Sequence, residues 1–298
     1  MKTNPNDNAQ KQFLSQQRTV LVTGGSSGIG KSIVERFARN GYTVWFTYRT
    51  GKERAIRLAE SLGDSVRAFH FEQGLWESHE RLLNDLPGSV DILINNAALG
   101  SATVSQFAKD THMQDQALLH VNAVGVLWLT QQLLPGMFSR NFGKIIMISS
   151  VGGGISQFPG FKLADGMSKA ALVHLTKQLA AELHHAPIDV FAICPGATDT
   201  PMFGASTLEH MNEGDRKSFV GKLPKGRLIN PDEIAHLAVY LSREGSQCLH
   251  GAVIDASMGL GVHPGLITAM KPSSLHDTIN ELRQETPYQS NLAANMAI

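Results

Sequence analysis

Residues 23 to 30, Thr23-Gly24-Gly25-Ser26-Ser27-Gly28-Ile29-Gly30, combine the residue types that hold a phosphate without a charged side chain. Glycines permit a tight turn and close backbone approach, and a helix starting at that turn offers unpaired N–H groups to a pyrophosphate. An ordinary strand-to-helix turn uses the same glycines, so the flanks decide. Apolar "TVLVT" precedes the loop and amphipathic "GKSIVERFARNG" follows it, the context a dinucleotide site requires. In such a site the second strand ends near the adenosine ribose, where an acid holds a free 2′-hydroxyl and an arginine accommodates a 2′-phosphate. "TVWFTYRTGKER" delivers Arg49 and no acid, so NADP(H) is the expected cofactor. The ordinary alternative is a solvated loop formed by Arg49, Lys52 and Arg54.

Those residues need elements to position them. Six short apolar runs, "TVLVT", "TVWFTY", "VRAFHF", "DILINN", "KIIMIS" and "DVFAIC", are separated by segments with helical spacing. A seventh run, "GAVIDA", follows "NPDEIAHLAVYLSRE", where Pro231, Asp232 and Glu233 favour a helix amino end. This alternation predicts an α/β fold: a single Rossmann-type, doubly wound parallel sheet of about seven strands with helices on both faces. The expected organisation is a polar tail over residues 1–17, a dinucleotide-binding domain over 18–261 and a carboxy-terminal extension over 262–298. The extension mixes Pro264, Pro272 and Pro287 with one helix-like piece, "SLHDTINELRQE".

At 298 residues and 42% hydrophobic, the chain can bury one large core. Lys plus Arg equals Asp plus Glu at 26 each, so no global field draws it to nucleic acid or an anionic membrane, and a small molecule is the expected partner. The first eighteen residues lack the apolar core of a signal peptide, and no later run is expected to span a membrane. Cys194 and Cys248 fall in apolar strand-like contexts and read as reduced core residues of a cytoplasmic protein. The histidines, carboxylates and cysteines have no metal-ligand spacing, so no metal is expected.

From Arg18 to Gly261 the chain resembles the short-chain dehydrogenase/reductase superfamily. Thr23 to Gly30 match its T-G-x-x-x-G-x-G, Asn95-Asn96-Ala97-Ala98 resemble its N-N-A-G, and "CPGATDTPMF" resembles the segment after its sixth strand. "IDASMG" stands in place of its usual V-D-G-G. The resemblance implies a cofactor pocket built from Thr23, Gly24, Ser26, Ser27, Gly28, Ile29, Gly30, Arg49, Glu72, Asn96, Ala97, Lys169, Pro195, Gly196 and Thr200. Glu72 takes the place of the aspartate beside the adenine, Pro195 and Gly196 border the nicotinamide, and Thr200 contacts its carboxamide. It further implies that Ser150 orients the substrate carbonyl, Lys169 holds the nicotinamide ribose and Asn122 anchors a water in a proton relay.

One position departs from the pattern. In "LADGMSKAA" the residue four before Lys169, a tyrosine in the family, is Asp165, and the fifteen residues from Ser150 to it are longer than the family interval. Of the four tyrosines, Tyr42, Tyr48 and Tyr240 are expected away from Ser150, and Tyr288 lies in the extension. Carbonyl reduction delivers hydride to carbon and a proton to the developing alkoxide, and a positioned acid contributes roughly a hundred- to ten-thousand-fold. An aspartate, ordinarily ionised above about pH 3.9, has no proton to give at neutral pH, and a neighbouring ammonium strengthens that preference. Asp165 also has an ordinary reading: helix N-cap, with a helical ion pair to Lys169. Among nearby residues, Lys162 is expected to be solvated and Ser156 has no evident activating base.

Three functions fit. The favoured one is an atypical NADPH-dependent oxidoreductase of ketoreductase type, reducing a carbonyl of an apolar small molecule, with the proton supplied by ordered water or by the substrate. The others are a redox-neutral isomerase, dehydratase or cyclase using Asp165 as base, and a non-catalytic NADP-binding partner of an active homologue. "DQALLHVNAVGVLWLTQQLLPGMF" and "SKAALVHLTKQLAAEL" are apolar around much of their circumference, which fits either deep burial in one chain or a helix-to-helix subunit interface, and the family resemblance implies a homodimer or homotetramer. The resemblance implies a substrate lid over residues 202–226, where Met202, Phe203, Met211 and Phe219 either favour an apolar substrate or pack the lid itself.

Overall fold

A computed structural model describes residues 18–158 and 162–262. Its strands are β1 (Thr19–Val22), β2 (Thr43–Tyr48), β3 (Val66–His70), β4 (Ile92–Asn95), β5 (Gly143–Ile148), β6 (Ile188–Pro195) and β7 (Val253–Ala256). They form one sheet in the order β3-β2-β1-β4-β5-β6-β7. Every pairing is parallel, with Val20 set between Val44 and Ile92 at the centre. The strand order reverses between β1 and β4, and a crevice at the carboxyl ends of the strands is the consequence.

Strand periodicity divides the core. Val20, Val22, Ile92, Ile94, Phe191 and Ile193 bury one face with Ile33, Val34 and Phe37 of helix α1 (Gly28–Arg39), and with Ala55 and Leu58 of α2 (Lys52–Leu62). Leu21, Leu93, Ile145, Val190 and Ala192 bury the other, against Leu82 of α3 (Trp76–Asp85) and Leu129 and Met137 of α4 (Thr111–Ser139). Leu172 and Leu179 of α5 (Leu163–Glu182) complete that layer. Each such side chain removed from water contributes about 1.5–3 kcal/mol. Helices α6 (Glu213–Lys222) and α7 (Pro231–Leu241) follow, and α7 opens with Asn230 and Glu233 in a reciprocal capping box.

One expectation needs correction and others fall outside the described residues. An 18-residue window of α4 reaches a mean hydropathy of 1.3, a level that the core helix of a folded domain reaches as readily as a membrane span. Its apolarity has a local use, since Val126, Leu129, Leu133 and Met137 pack on the sheet. Cys194 is buried in β6, but Cys248 is exposed on a 3-10 turn (Glu244–Leu249), because the apolar run containing it is a turn and β7 begins only at Val253. The polar tail, Tyr288 and the helix-like piece of the extension lie outside the described residues.

Candidate active site

The glycine loop is fixed by its neighbours in the sheet. The Thr23 hydroxyl oxygen accepts hydrogen bonds from the backbone N–H of Asn96 (3.0 Å) and Ala97 (2.9 Å), and Asn96 Nδ2 donates back to the carbonyls of Thr23 (2.9 Å) and Gly24 (3.2 Å). Gly24 and Gly28 adopt φ of +66° and +53°. A Cβ on Gly30 would stand 2.2 Å from the Gly24 carbonyl oxygen, so only glycine fits. Ser27 is the N-cap of α1 and makes no side-chain cap bond, leaving its hydroxyl and the first helical N–H groups open to an anion.

Above this loop runs a cleft of about 1350 Å³ along the carboxyl ends of the strands. Gly24, Ser26, Ser27, Gly28, Ile29 and Gly30 line it, as do Arg49, Glu72, Asn96 and Ala97. Ser150, Asp165, Lys169, Pro195, Gly196 and Thr200 line the remainder. Thr23 and Asn122 are buried behind its wall. The expected residues therefore assemble around one space, although they are spread from β1 to the segment after β6. Thr200 closes the ring: a Cβ on Gly28 would lie 3.3 Å from Thr200 Cβ, and the Thr200 hydroxyl caps the turn Pro201–Phe203.

At the other end, Asn122 sits in a π-turn (His120–Val124) inside α4. It grips Leu99 from both sides, its Oδ1 accepting from Leu99 N (2.7 Å) and its Nδ2 donating to Leu99 O (2.9 Å) and Ser168 Oγ (3.1 Å). Ser150, two residues past the end of β5, is the N-cap of the short turn Val151–Gly154, and its Oγ accepts from Gly152 N at 3.1 Å. That bond uses a lone pair, so the hydroxyl proton remains free to donate. Lys169 Nζ donates to the Ile148 carbonyl at 3.3 Å. Desolvation draws the Lys169 ammonium below its ordinary range, against the opposing charges of Asp165 and Cys194. Burial likewise pushes the Cys194 thiol up to about 11, so it is no nucleophile at neutral pH.

Asp165 is neither the N-cap of α5 nor ion-paired with Lys169. Lys162, half-buried at the edge of the cleft, is the N-cap, and Asp165 is the third helical residue. Its Oδ2 accepts two hydrogen bonds from Ser101, one from the backbone N–H (2.9 Å) and one from the hydroxyl (2.6 Å). The Ser101 hydroxyl in turn accepts from Lys162 N at 3.3 Å, which directs its own proton toward the carboxylate. Asp165 is thus held as an acceptor. A partner 64 residues away on a loop has no spacing rule, which is why Ser101 was not identified from the sequence. Two further residues were missed. Gln73 donates to the Ala97 and Val121 carbonyls from the cleft wall, and Phe107 carries the Arg49 guanidinium 4.9 Å from its ring centre. In the expected lid, Met202, Phe203 and Phe219 line the cleft, but Met211 does not.

A doubly wound parallel sheet with a glycine cradle at its switch point defines a nucleotide-binding α/β protein. The sequence pattern of the short chain dehydrogenases matches residues 18–210, and the chain belongs to that family of oxidoreductases. It is 34% identical over 255 residues to the oxidoreductase UcpA of Salmonella typhimurium, covering 82% of this chain and 95% of that one. It is 35% identical over 244 residues to an acetoacetyl-CoA reductase of Rhizobium meliloti, covering 81% and 98%. Among solved structures, a variant of actinorhodin polyketide ketoreductase with NADPH superposes with a TM-score of 0.74 at 28% identity, over 82% of this chain and 97% of that one.

Proposed function

We propose that the protein reduces the carbonyl carbon of an apolar small molecule with NADPH, and does so without the tyrosine acid of its family. The observation that carries this reading is the meeting, in one cleft, of the glycine cradle, the free Ser150 hydroxyl proton and Lys169. The residues fit the cofactor. The open amino end of α1 and Ser27 would hold the pyrophosphate, Arg49 the 2′-phosphate, and Lys169 the nicotinamide ribose. When bound, the reduced nicotinamide supplies the hydride. Ser150 donates a hydrogen bond to the substrate carbonyl oxygen and stabilises the charge that develops there. Pro195 and Gly196 wall the nicotinamide end, and Met202, Phe203 and Phe219 exclude water from an apolar substrate.

Asp165 stands four residues before Lys169, in the place of the family's tyrosine, and its Oδ2 is committed as an acceptor to the N–H and hydroxyl of Ser101. The proton then comes from solvent reaching the cleft or from an acidic group on the substrate. Relatives that act on acetoacetyl-CoA and a polyketide ketoreductase structure support carbonyl reduction. The half-exposed Trp76 and Phe138, on the outer faces of α3 and α4, support self-association as a dimer or tetramer.

Transfer of deuterium from C4-labelled NADPH into product, retained in Asp165→Asn, is the expected result when candidate ketones are screened. No label in the product of an active preparation overturns the reductase reading. Loss of turnover in Asp165→Asn with NADPH affinity intact assigns Asp165 as a base in a redox-neutral reaction instead.

A further inference from the structure

Residues 99 to 107 touch both ends of the cleft. Leu99 is clamped by Asn122, and Ser101 is tied through its N–H and its hydroxyl to Asp165 at the start of α5. Gly100 lies against the lid segment, where an added Cβ would stand 3.1 Å from Met202 Sδ. The chain then makes a 3-10 turn (Thr103–Gln106), anchored by the fully buried Val104, and arrives at Phe107 beside Arg49. Leu99 to Thr103 and Phe107 all border the cleft.

The Arg49 end is unusual in its charge. Among the described residues Arg49 makes no ion pair, and its guanidinium is exposed and held over the ring of Phe107, itself 46% exposed. An unpaired guanidinium is free to take an anion, while an aromatic face limits where it points without neutralising it. A half-exposed phenylalanine contributes little to the core. Its position is better explained by the arginine it supports.

We propose that residues 99–107 form a strap over the dinucleotide cleft, latched by Asp165 at one end, with Phe107 orienting Arg49 for a 2′-phosphate at the other. This rests on the nucleotide reading above and adds two assignments. Asp165 is a positioning residue: its acceptor oxygen, not its acidity, sets where the strap lies. Phe107 is a specificity residue, acting on NADPH and not on NADH because only NADPH carries the phosphate that Arg49 meets.

The test is fluorescence titration of the full-length protein with NADPH and with NADH, which needs no substrate. Phe107→Ala is expected to weaken NADPH about three- to fivefold and NADH less than about twofold, in line with a partly exposed cation–π contact. Phe107→Tyr, which keeps a ring beneath Arg49, is expected to restore affinity. Asp165→Ala and Ser101→Ala are expected to weaken NADPH by a similar factor, whereas Asp165→Asn keeps an acceptor oxygen and keeps affinity. Ser101 and Phe107 share no partner, so independent effects would multiply. A strap acting as one body instead gives a Ser101→Ala/Phe107→Ala double variant little worse than either single variant. Multiplying effects, or equal losses for both nucleotides, overturn the strap while leaving the cofactor reading intact. Failure of the unaltered protein to bind NADPH overturns the cofactor reading and the strap together.

Discussion

At the glycine-loop end of the cleft, backbone geometry sets which residues are allowed, and the Thr23 and Asn96 side chains tie that backbone to the sheet. Gly24, Gly28 and Gly30 are fixed by φ and by contact, with no room for a Cβ on Gly30. At the reaction end side chains do the positioning: Asn122 grips Leu99, Ser101 bonds Asp165, and the Ser150 oxygen is tied down by Gly152. A backbone cradle admits few substitutions because any side chain collides with it. A side-chain network can exchange members if each replacement still satisfies its partners. The difference explains how the cofactor motif can stay intact while a carboxylate stands four residues before Lys169.

The largest expected effect strikes the rigid end. Gly30→Val places carbon against the Gly24 carbonyl and against Asn96 Nδ2, 2.5 Å from the ideal Cβ, and these two are hydrogen-bonded to each other while Asn96 Nδ2 also donates to the Thr23 carbonyl. Overpacking of this kind costs about 1–3 kcal/mol, a melting-temperature fall of about 3–10 °C for a domain of this size. NADPH binding should disappear in fluorescence titrations even where the fold survives. A variant that still binds NADPH would show that the cradle is softer than its contacts imply.

At the reaction end the expected effects have opposite signs. Lys169 is desolvated and its ammonium is drawn below the usual 10.5. The unfolded chain therefore binds its proton more tightly than the folded one. Stability linked to this group is fully present above pH 10.5 and is lost as pH falls through the depressed folded value. Lys169→Met, with similar bulk and no charge, is expected to raise the melting temperature at pH 7 while weakening NADPH. The advantage should narrow as pH rises toward 10.5, in thermal melts taken across pH 7 to 10. A variant less stable than the parent at every pH would make Lys169 a structural tie and remove the contrast between the two ends.

That contrast also marks what the sequence could reveal. Each of the seven strands coincides with an apolar run read from periodicity, with β5 starting one residue before its run and β6 extending one residue beyond each end of its run, because a parallel sheet covered on both faces needs unbroken hydrophobic segments. The cradle was legible because its backbone geometry demands glycine at fixed spacing. Ser101, Gln73 and Phe107 were not, since their partners Asp165, Val121 and Arg49 are brought close only by the fold. Asp165 stands out in the sequence, and the ordinary one of its readings, N-cap and helical ion pair, rests on local helix rules. A tertiary hydrogen bond from Ser101 took precedence over the N-cap and the helical ion pair. Cys248 shows the same limit from the other side, an apolar context that the fold leaves exposed.

The smallest expected effect comes from a site belonging to neither end. Asn230 Oδ1 accepts from Asp232 N at 3.0 Å, and the Glu233 carboxylate accepts from Asn230 N at 2.8 Å. Asn230→Ala should cost about 1 kcal/mol of stability. Arg227, and then the Asn230 N–H, hold the Glu233 carboxyl down to about 2. Its contribution is present above the ordinary carboxylate range and is lost as pH falls through that value. Both partners are exposed, so the difference between the parent and Glu233→Gln should be slight at pH 7 and vanish near pH 2. Helix α7 packs on α1, and Asp232 binds Arg36 there, so the capping box is mechanically connected to the helix that begins at the glycine loop. NADPH affinity should nevertheless be unchanged in Asn230→Ala, because Thr23 and Asn96 fix the loop from the sheet side. A measurable loss of affinity would mean that α7 helps set the cradle, and that the ties from Thr23 and Asn96 on the sheet side do not fix the glycine loop by themselves.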